Sequence, residues 1–278
     1  MSRRADLADY FALTKPAKIY RFFMSAGFGV LVALPIPRQE WPHIIVALAA
    51  GAIAAAGGNA INMFVDRNID AADPRTASRP VASGRVTPQT ALLFGIALTT
   101  LGLAMLAVFV SPAVAALALL TGLLYATVYG WLKRSTPYYT LFGGVIWAAP
   151  VIIIWIAAGK PLSATPLSAA SVCAFWTALH VWSAALVRAE AERPAGPRFM
   201  PRLYGSQATR LNLFLITLFI TASTIVLRRW GLMPFDAMLV AAAAASVSFR
   251  SGRADKLLSR ASMLYICGFA AVCVAGAL

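Results

Sequence analysis

Acidic residues are scarce in this sequence: ten Asp and Glu stand among 278 residues, against 24 Lys and Arg. Charged residues of both signs make up only 12% of the chain, whereas a soluble globular protein averages about 25%. No polar stretch is long enough to form a soluble domain of its own. The shortage of charge, with a hydrophobic fraction of 60%, excludes a soluble globular protein and indicates a membrane protein.

Cysteine is also rare. Cys173, Cys267 and Cys273 all lie in apolar runs and lack the spacing of metal ligands. We therefore expect three buried free thiols and no disulfide. The polar amino terminus leads directly into the first apolar run, so we also expect no cleavable signal peptide.

Positive charge is abundant, with a formal net charge of +14, but it does not indicate a nucleic-acid partner. The basic residues lie in short connections between apolar runs, where they act as topology determinants and can bind phosphate. We therefore expect a lipid bilayer and a phosphorylated small molecule as partners, and no nucleic acid.

The apolar runs predict an all-α, polytopic membrane protein. A helix needs about 20 mainly apolar residues to cross a bilayer. Nine segments meet this requirement, roughly 18–35, 42–66, 90–110, 112–132, 138–158, 166–187, 210–228, 232–249 and 258–277. We expect them to form a single membrane-embedded domain over residues 1–278.

Lys and Arg set the expected orientation. A cytoplasmic amino terminus places 20 of the 24 basic residues on the cytoplasmic side, in agreement with the positive-inside rule. An odd number of spans then places the carboxyl terminus outside. The compact architecture favours a bacterial inner membrane.

One acidic motif follows the second span, in GGNAINMFVDRNIDAADPRTASRPVASGRV at positions 57–86. Asn62, Asp66 and Asp70 are spaced i, i+4, i+8, which places them on one stripe of a helix. Mg²⁺ is commonly bound by one or two carboxylates together with substrate phosphates. An Arg-rich stretch follows and could bind diphosphate oxygens; it consists of Arg67, Arg75, Arg79 and Arg85. The alternative is that the two Asp residues simply mark a helix end in the headgroup region.

A second acidic segment follows the sixth span. Glu190 and Glu192 are two residues apart, so only one of them could face a metal from a regular helix. The alternative is a solvated charged loop. His180 lies within the span and would contact either a polar acceptor or only a neighbouring side chain. Arg188 follows it at the cytoplasmic end.

The connection between the fourth and fifth spans reads YATVYGWLKRSTPYYT. Tyr129 and Lys133 stand at i, i+4, which predicts that they share a helix face. Lys133 could neutralise a leaving diphosphate, and Arg134 lies beside it. Alternatively, both cations serve only the positive-inside rule.

These motifs together resemble the UbiA superfamily of intramembrane prenyltransferases over nearly the whole chain. That superfamily carries an Asn/Asp-x3-Asp-x3-Asp motif and a Tyr-x3-Lys element, which Asn62, Asp66, Asp70, Tyr129 and Lys133 match. Its fold has nine helices. The segments DYFALTKP, LKRSTPYYTLFGGVIWAAP, HVWSAALVR and LLSRASMLY are most similar to its protohaem IX farnesyltransferase (haem O synthase) branch.

The resemblance implies Mg²⁺-dependent transfer of a farnesyl group from farnesyl diphosphate to a vinyl group of haem B. It implies Mg²⁺ held by Asp66, Asp70 and Asn62, and a second Mg²⁺ held by Glu190. The residues implied to bind the substrates are Arg75, Arg79, Lys133, Arg134, His180, Arg188 and Glu190.

The sequence departs from that branch at one place. The branch has a tandem Asp pair soon after the His-x-Trp segment, where this chain has Glu190 and Ala191. Two alternatives to haem farnesylation therefore stay open: another aromatic, quinone-precursor or tetrapyrrole acceptor, and a weakened homologue that binds haem or prenyl lipid as an assembly factor. A transporter is disfavoured because the charges cluster at one membrane face.

Overall fold

A computed structural model describes residues 6–188, 200–227 and 230–276, and the regular structure in these ranges is helical. The helices are α1 (Leu7–Leu13), α2 (Pro16–Ala33), α3 (Trp41–Val65), α4 (Arg67–Ala72), α5 (Pro88–Phe109), α6 (Pro112–Leu124), α7 (Gly130–Ser135), α8 (Tyr139–Ala157), α9 (Ala164–Val187), α10 (Met200–Leu227), α11 (Met233–Phe249) and α12 (Gly252–Ala275). A π-helical segment, Tyr125–Tyr129, joins α6 to α7. Gly205 interrupts α10 with φ +77°.

Seven helices in the described ranges are long and apolar enough to cross a membrane. They are Arg38–Val65, Pro88–Phe109, Pro112–Lys133, Tyr139–Ala157, Ala164–Val187, Met200–Leu227 and Gly252–Ala275. The other two expected spans correspond to α2 and α11. Lys18 and Arg21 lower the hydropathy of α2, and α11, with 17 residues, extends only about 25 Å. The all-helical membrane fold is confirmed, whereas the count of nine spans and the orientation stay predictions.

Glycines allow α3 and α5 to pack with their backbones in close contact. A Cβ atom at Gly57 would collide with Thr99 and with the backbone of Gly95, and one at Gly102 would lie 2.7 Å from the Ala54 nitrogen. Small residues at helix interfaces permit this close approach in membranes. The packing fixes the carboxyl-terminal end of α3, where the acidic motif begins.

The remaining long helices pack around α8 and α9. Helix α8 contacts α2 and α9, while α9 also contacts α10 and α12. Trp182, Leu179 and Ile154 are among the large side chains fully buried in this main core. The core therefore joins the helices that follow the acidic motif to those near the carboxyl terminus.

A second, smaller core lies at the carboxyl-terminal end of α3. Its buried members are Leu13, Ala60, Met63, Val81, Val86 and Ala91. They come from α1, α3, the 73–86 connection and α5. This core holds the connection against the end of α3 and so positions the arginines that follow the acidic motif.

One expectation about the cysteines was wrong. Cys173 and Cys273 are buried free thiols, but Cys267 is exposed. Cys267 lies on a face of α12 that no other described helix covers, and an apolar run in a membrane protein can face lipid as well as the core.

Candidate active site

The acidic motif lies on one continuous stripe although the helix breaks within it. Helix α3 ends at Val65 and α4 begins at Arg67, with Asp66 between them at φ −86° and ψ 4°. The Asp66 N–H still donates to the Asn62 carbonyl at 2.9 Å, and the Asp70 N–H donates to the Asp66 carbonyl at 2.8 Å. The Asn62 Nδ2 group donates to Asp66 Oδ2 at 3.0 Å. The three side chains therefore share a face, as the spacing predicts.

Arg79 binds the last carboxylate of the motif. Its Nη1 lies 2.6 Å from Asp70 Oδ1 and 2.7 Å from Asp70 Oδ2. The Asp70 side chain is 8% exposed, and that of Arg79 is 24% exposed. Thr76 Oγ1 donates to the Asp70 carbonyl at 3.0 Å and holds the backbone of the turn. Arg79 thus lies against the acidic motif, and its role in binding substrate stays a prediction.

Lys15 reaches the same site from the residue before α2. Its Nζ donates to Asn62 Oδ1 at 2.6 Å, and the residue is buried, with 7% exposure. Its backbone is left-handed, at φ +49°. Burial, together with the charges of Lys18 and Arg79, lowers the pKa of Lys15 to about 7, against the attraction of Asp70 and Asp66. Three cations and two carboxylates therefore converge, which leaves a surplus of positive charge suited to an anion.

Three further hydrogen bonds hold α1 and the 73–86 connection against the site. Arg85 Nε donates to Asp9 Oδ1 at 2.7 Å, and Arg85 Nη2 donates to the Ser78 carbonyl at 2.9 Å. Asn59 Nδ2 donates to the Thr14 carbonyl at 2.9 Å. Because Asn59 is itself buried, this bond fixes the chain one residue before Lys15.

Other arginines after the motif do not join the site. Arg75 pairs with Asp73 at 3.3 Å, and the Arg75 side chain is 72% exposed. The pKa of the Asp73 carboxyl is lowered mainly because this carboxyl accepts a hydrogen bond from the Arg75 backbone N–H. Arg67 donates to the Phe64 carbonyl at 2.8 Å, and its guanidinium lies 4.7 Å from the centre of the Phe64 ring. The predicted role of Arg75 in substrate binding thus finds no support in its position.

An apolar cavity of about 270 Å³ opens beside the acidic motif. Asn59 and Lys18 lie at its polar end, and Tyr125 lines it from the π-helical segment. Further into the bundle it is lined by Phe22, about one helical turn from Lys18, and by Gly51, about two turns from Asn59; there the Phe22 ring rests on the glycine. The cavity can therefore hold an apolar chain whose polar head lies near the motif.

The Tyr-x3-Lys element lies next to this cavity. Tyr129 stacks on Tyr125 with 5.3 Å between ring centres, and its ring edge faces Tyr139 at 5.8 Å. A π-helical segment often marks a functional site because it displaces side chains from the regular helical register. Lys133 is exposed, and its charge acts on Lys18 at the polar end of the cavity.

The residues predicted on α9 and after it have contacts of their own, away from the acidic motif. His180 stacks on Trp176 at 5.2 Å, and its Nδ1 lies 3.4 Å from Ser262 Oγ on α12. Arg188 is exposed at the end of α9. The side chain of Arg134 and the residues Glu190, Ala191 and Glu192 lie outside the described residues.

Sequence reasoning did not identify Lys15, Lys18 or Asn59 as members of the site, whereas it included Arg85 among the arginines that could bind diphosphate. The only feature that could have indicated Lys15 is its place in DYFALTKP, a segment that matters to the resemblance. Nothing local in the sequence shows that this segment contacts a residue 47 positions later.

The donor atoms fit Mg²⁺, a cation that prefers oxygen ligands. Asn62 Oδ1 already accepts from a cationic group, and the carboxylates of Asp66 and Asp70 lie within electrostatic range of the same ammonium. Within the described ranges no three His, Cys, Asp or Glu side chains group closely enough to hold a metal alone. A site with so few protein ligands agrees with a Mg²⁺ ion that takes further ligands from substrate phosphates.

The chain belongs to the UbiA prenyltransferase family, which matches residues 22–272. It is similar to curated relatives named protoheme IX farnesyltransferase. One, from Pseudomonas putida (strain W619), is 36% identical over 81% of this chain and 76% of its own length. Another, from Azotobacter vinelandii (strain DJ / ATCC BAA-1303), is 37% identical over 80% of this chain and 75% of its own length.

Solved structures share the fold. One is described as digeranylgeranylglyceryl phosphate synthase in membranes; it superposes with a TM-score of 0.79 at 15% identity, over 98% of both chains. Another is a UbiA homologue from Archaeoglobus fulgidus bound to GPP and Mg²⁺, with a TM-score of 0.58 at 17% identity, over 96% of this chain and 99% of that chain.

Proposed function

We propose that this protein transfers a farnesyl group from farnesyl diphosphate to protohaem IX in a Mg²⁺-dependent reaction. The observation that carries the proposal is the meeting of Asn62, Asp66 and Asp70 with the basic side chains of Lys15 and Arg79, close to an apolar cavity that Lys18 and Asn59 line. The names of the relatives support haem as the acceptor.

In this proposal Asp66, Asp70 and Asn62 hold the metal, which when bound supplies Lewis-acid stabilisation of the diphosphate leaving group. Arg79 and Lys133 neutralise charge that develops on the diphosphate as the allylic C–O bond breaks. The electron pair of that bond leaves with the diphosphate. The cavity walls exclude water from the allylic cation that remains.

The acceptor step joins the allylic carbon to the terminal carbon of a haem vinyl group. A water molecule then adds to the inner vinyl carbon and loses a proton, which leaves a hydroxyl on the product. We propose that the acceptor binds near His180 and Arg188 on α9, at the end of the bundle that we expect to face the cytoplasm. Glu190 and Arg134 stay predicted contributors.

The proposal includes a single domain over residues 1–278, nine spans and a site that opens to the cytoplasm. In the described ranges the motif, Lys18 and Lys133 all lie at the same end of the bundle. This clustering is what the positive-inside rule requires of a cytoplasmic face. Cysteine-labelling of the two termini in inverted vesicles would test the orientation.

Incubation of the detergent-purified protein with haem B and farnesyl diphosphate, with and without Mg²⁺, tests the function. Mass analysis should show a product heavier than haem by one farnesyl group and one hydroxyl group, only with Mg²⁺. Asp66→Asn and Asp70→Asn should abolish diphosphate release while the protein stays folded. Turnover retained in both variants contradicts the donor site.

The same experiment separates the alternatives that Ala191 keeps open. Farnesyl diphosphate consumed without a haem product indicates another acceptor. Haem bound with no diphosphate released indicates an assembly factor.

A further inference from the structure

The Lys15 ammonium contacts an oxygen that the metal would need. Asn62 has one side-chain oxygen, and Lys15 Nζ donates to it at 2.6 Å while the amide nitrogen donates to Asp66. Two cations in contact with one oxygen repel each other. Lys15 and a metal ion therefore compete for Asn62.

Lys15 is held in this place against two unfavourable factors. A lysine is almost never fully buried unless it is paired, yet Lys15 is 7% exposed, and its hydrogen-bond partner among the described residues is an uncharged amide. Its left-handed backbone, at φ +49°, is strained for a residue with a Cβ atom. Such strain persists only where surrounding contacts impose it, and here the Asn59–Thr14 bond and Pro16 flank the residue.

The charges around Lys15 favour an anion as its alternative partner. Lys18 and Arg79 act on it as like charges, and Asp66 and Asp70 are the opposing carboxylates. A diphosphate would relieve this repulsion because it presents several anionic oxygens at once. The flexible four-carbon stem of lysine allows the ammonium to change partners without a backbone movement.

We propose that Lys15 is a placeholder cation: it holds the Asn62 oxygen while the donor is absent and moves to a diphosphate oxygen when the donor arrives with its metal. This inference rests on the proposed function of the same site. Its consequence is that Mg²⁺ alone binds weakly, whereas Mg²⁺ and diphosphate bind together.

The test measures two affinities by isothermal titration calorimetry on the full-length protein in detergent, one for Mg²⁺ alone and one for inorganic pyrophosphate in the presence of Mg²⁺. Lys15→Met removes the charge and keeps the length of the side chain. We expect it to bind Mg²⁺ alone several-fold more tightly. We expect it to bind pyrophosphate with Mg²⁺ about tenfold more weakly, since one charge-assisted hydrogen bond is lost.

Two further variants keep the test decisive. Lys15→Gly removes the side chain and suits the left-handed backbone, so it should fold and show the same opposite shifts as Lys15→Met. Arg250→Met is the control, because Arg250 is the other residue with a Cβ atom at positive φ in the described ranges, and it lies at the end of α11. Both affinities should stay unchanged in that variant.

The outcomes separate this inference from the proposed function. If both affinities are unchanged, or both shift in the same direction, in Lys15→Met and Lys15→Gly, the placeholder role is refuted, since a purely structural role would weaken both. If the unmodified protein binds no pyrophosphate with Mg²⁺, the donor site itself is refuted.

Discussion

The Arg79–Asp70 pair makes the protein's stability depend on what neutralises Asp70. Arg79→Met would remove a cation that contacts both carboxylate oxygens, at 2.6 and 2.7 Å. The Asp70 side chain is 8% exposed, so most of its charge would lose its partner without gaining water. We expect a loss of about 2–4 kcal/mol in the free energy of unfolding, less than for a fully buried pair because Arg79 is itself partly exposed.

Mg²⁺ should reverse this loss. In Arg79→Met the metal can take the place of the missing guanidinium, and each tenfold rise in Mg²⁺ above its dissociation constant adds about 1.4 kcal/mol. In the unmodified protein Arg79 competes with the metal, so Mg²⁺ alone should stabilise it less. Thermal unfolding in detergent, followed by intrinsic fluorescence over a series of Mg²⁺ concentrations, measures both effects.

The double variant Asp70→Asn/Arg79→Met supplies the matched control. With both charges removed, position 70 no longer carries a buried carboxylate without a partner. The double variant should therefore be more stable than Arg79→Met alone and should gain little stability from Mg²⁺. The reasoning fails if Arg79→Met gains no more from Mg²⁺ than the unmodified protein does.

Three other substitutions test the cavity, the packing of α3 on α5, and the ion pair between α10 and α12. Gly58 lines the cavity and has open space beside it, so Gly58→Leu should leave the melting temperature unchanged. It should lower the rate of farnesyl transfer more than the rate of transfer from a shorter allylic diphosphate. Gly57→Leu should instead lower the melting temperature, because a Cβ atom at Gly57 collides with Thr99. Arg210→Met should lower the free energy of unfolding by about 3–5 kcal/mol, because Arg210 and Asp255 pair at 2.7 Å with side chains only 11% and 4% exposed. Pyrophosphate binding should stay normal, since this pair lies outside the donor site. A large loss of pyrophosphate binding would contradict this expectation.

Local periodicity explains which parts of the site could be predicted from the sequence. Asn62, Asp66 and Asp70 contact each other through successive turns, so their spacing alone predicts a shared face. The apolar runs predict the membrane helices for the same reason. Both depend only on the helical repeat, which holds even through the break at Asp66.

The parts that could not be predicted depend on turns and distant contacts. Arg75 and Arg79 stand in the same connection, yet only Arg79 reaches the motif, because the turns after Asp73 direct Arg75 to the surface. The role of Lys15 depends on a contact across 47 residues. Cys267 was expected to be buried, since hydropathy does not distinguish lipid from the protein core.

Several contacts that hold the acidic motif join residues between Asp9 and Arg85. Arg85 binds Asp9, Asn59 binds Thr14, and Asn62 binds Lys15. Helix α1 and the two residues after it are therefore partners of α3 and of the 73–86 connection, which are synthesised soon afterwards. A growing chain that has reached the end of α5 already contains each of these partners. These contacts of the acidic motif can therefore form during membrane insertion, before Lys133 and the helices that would receive the acceptor have been synthesised.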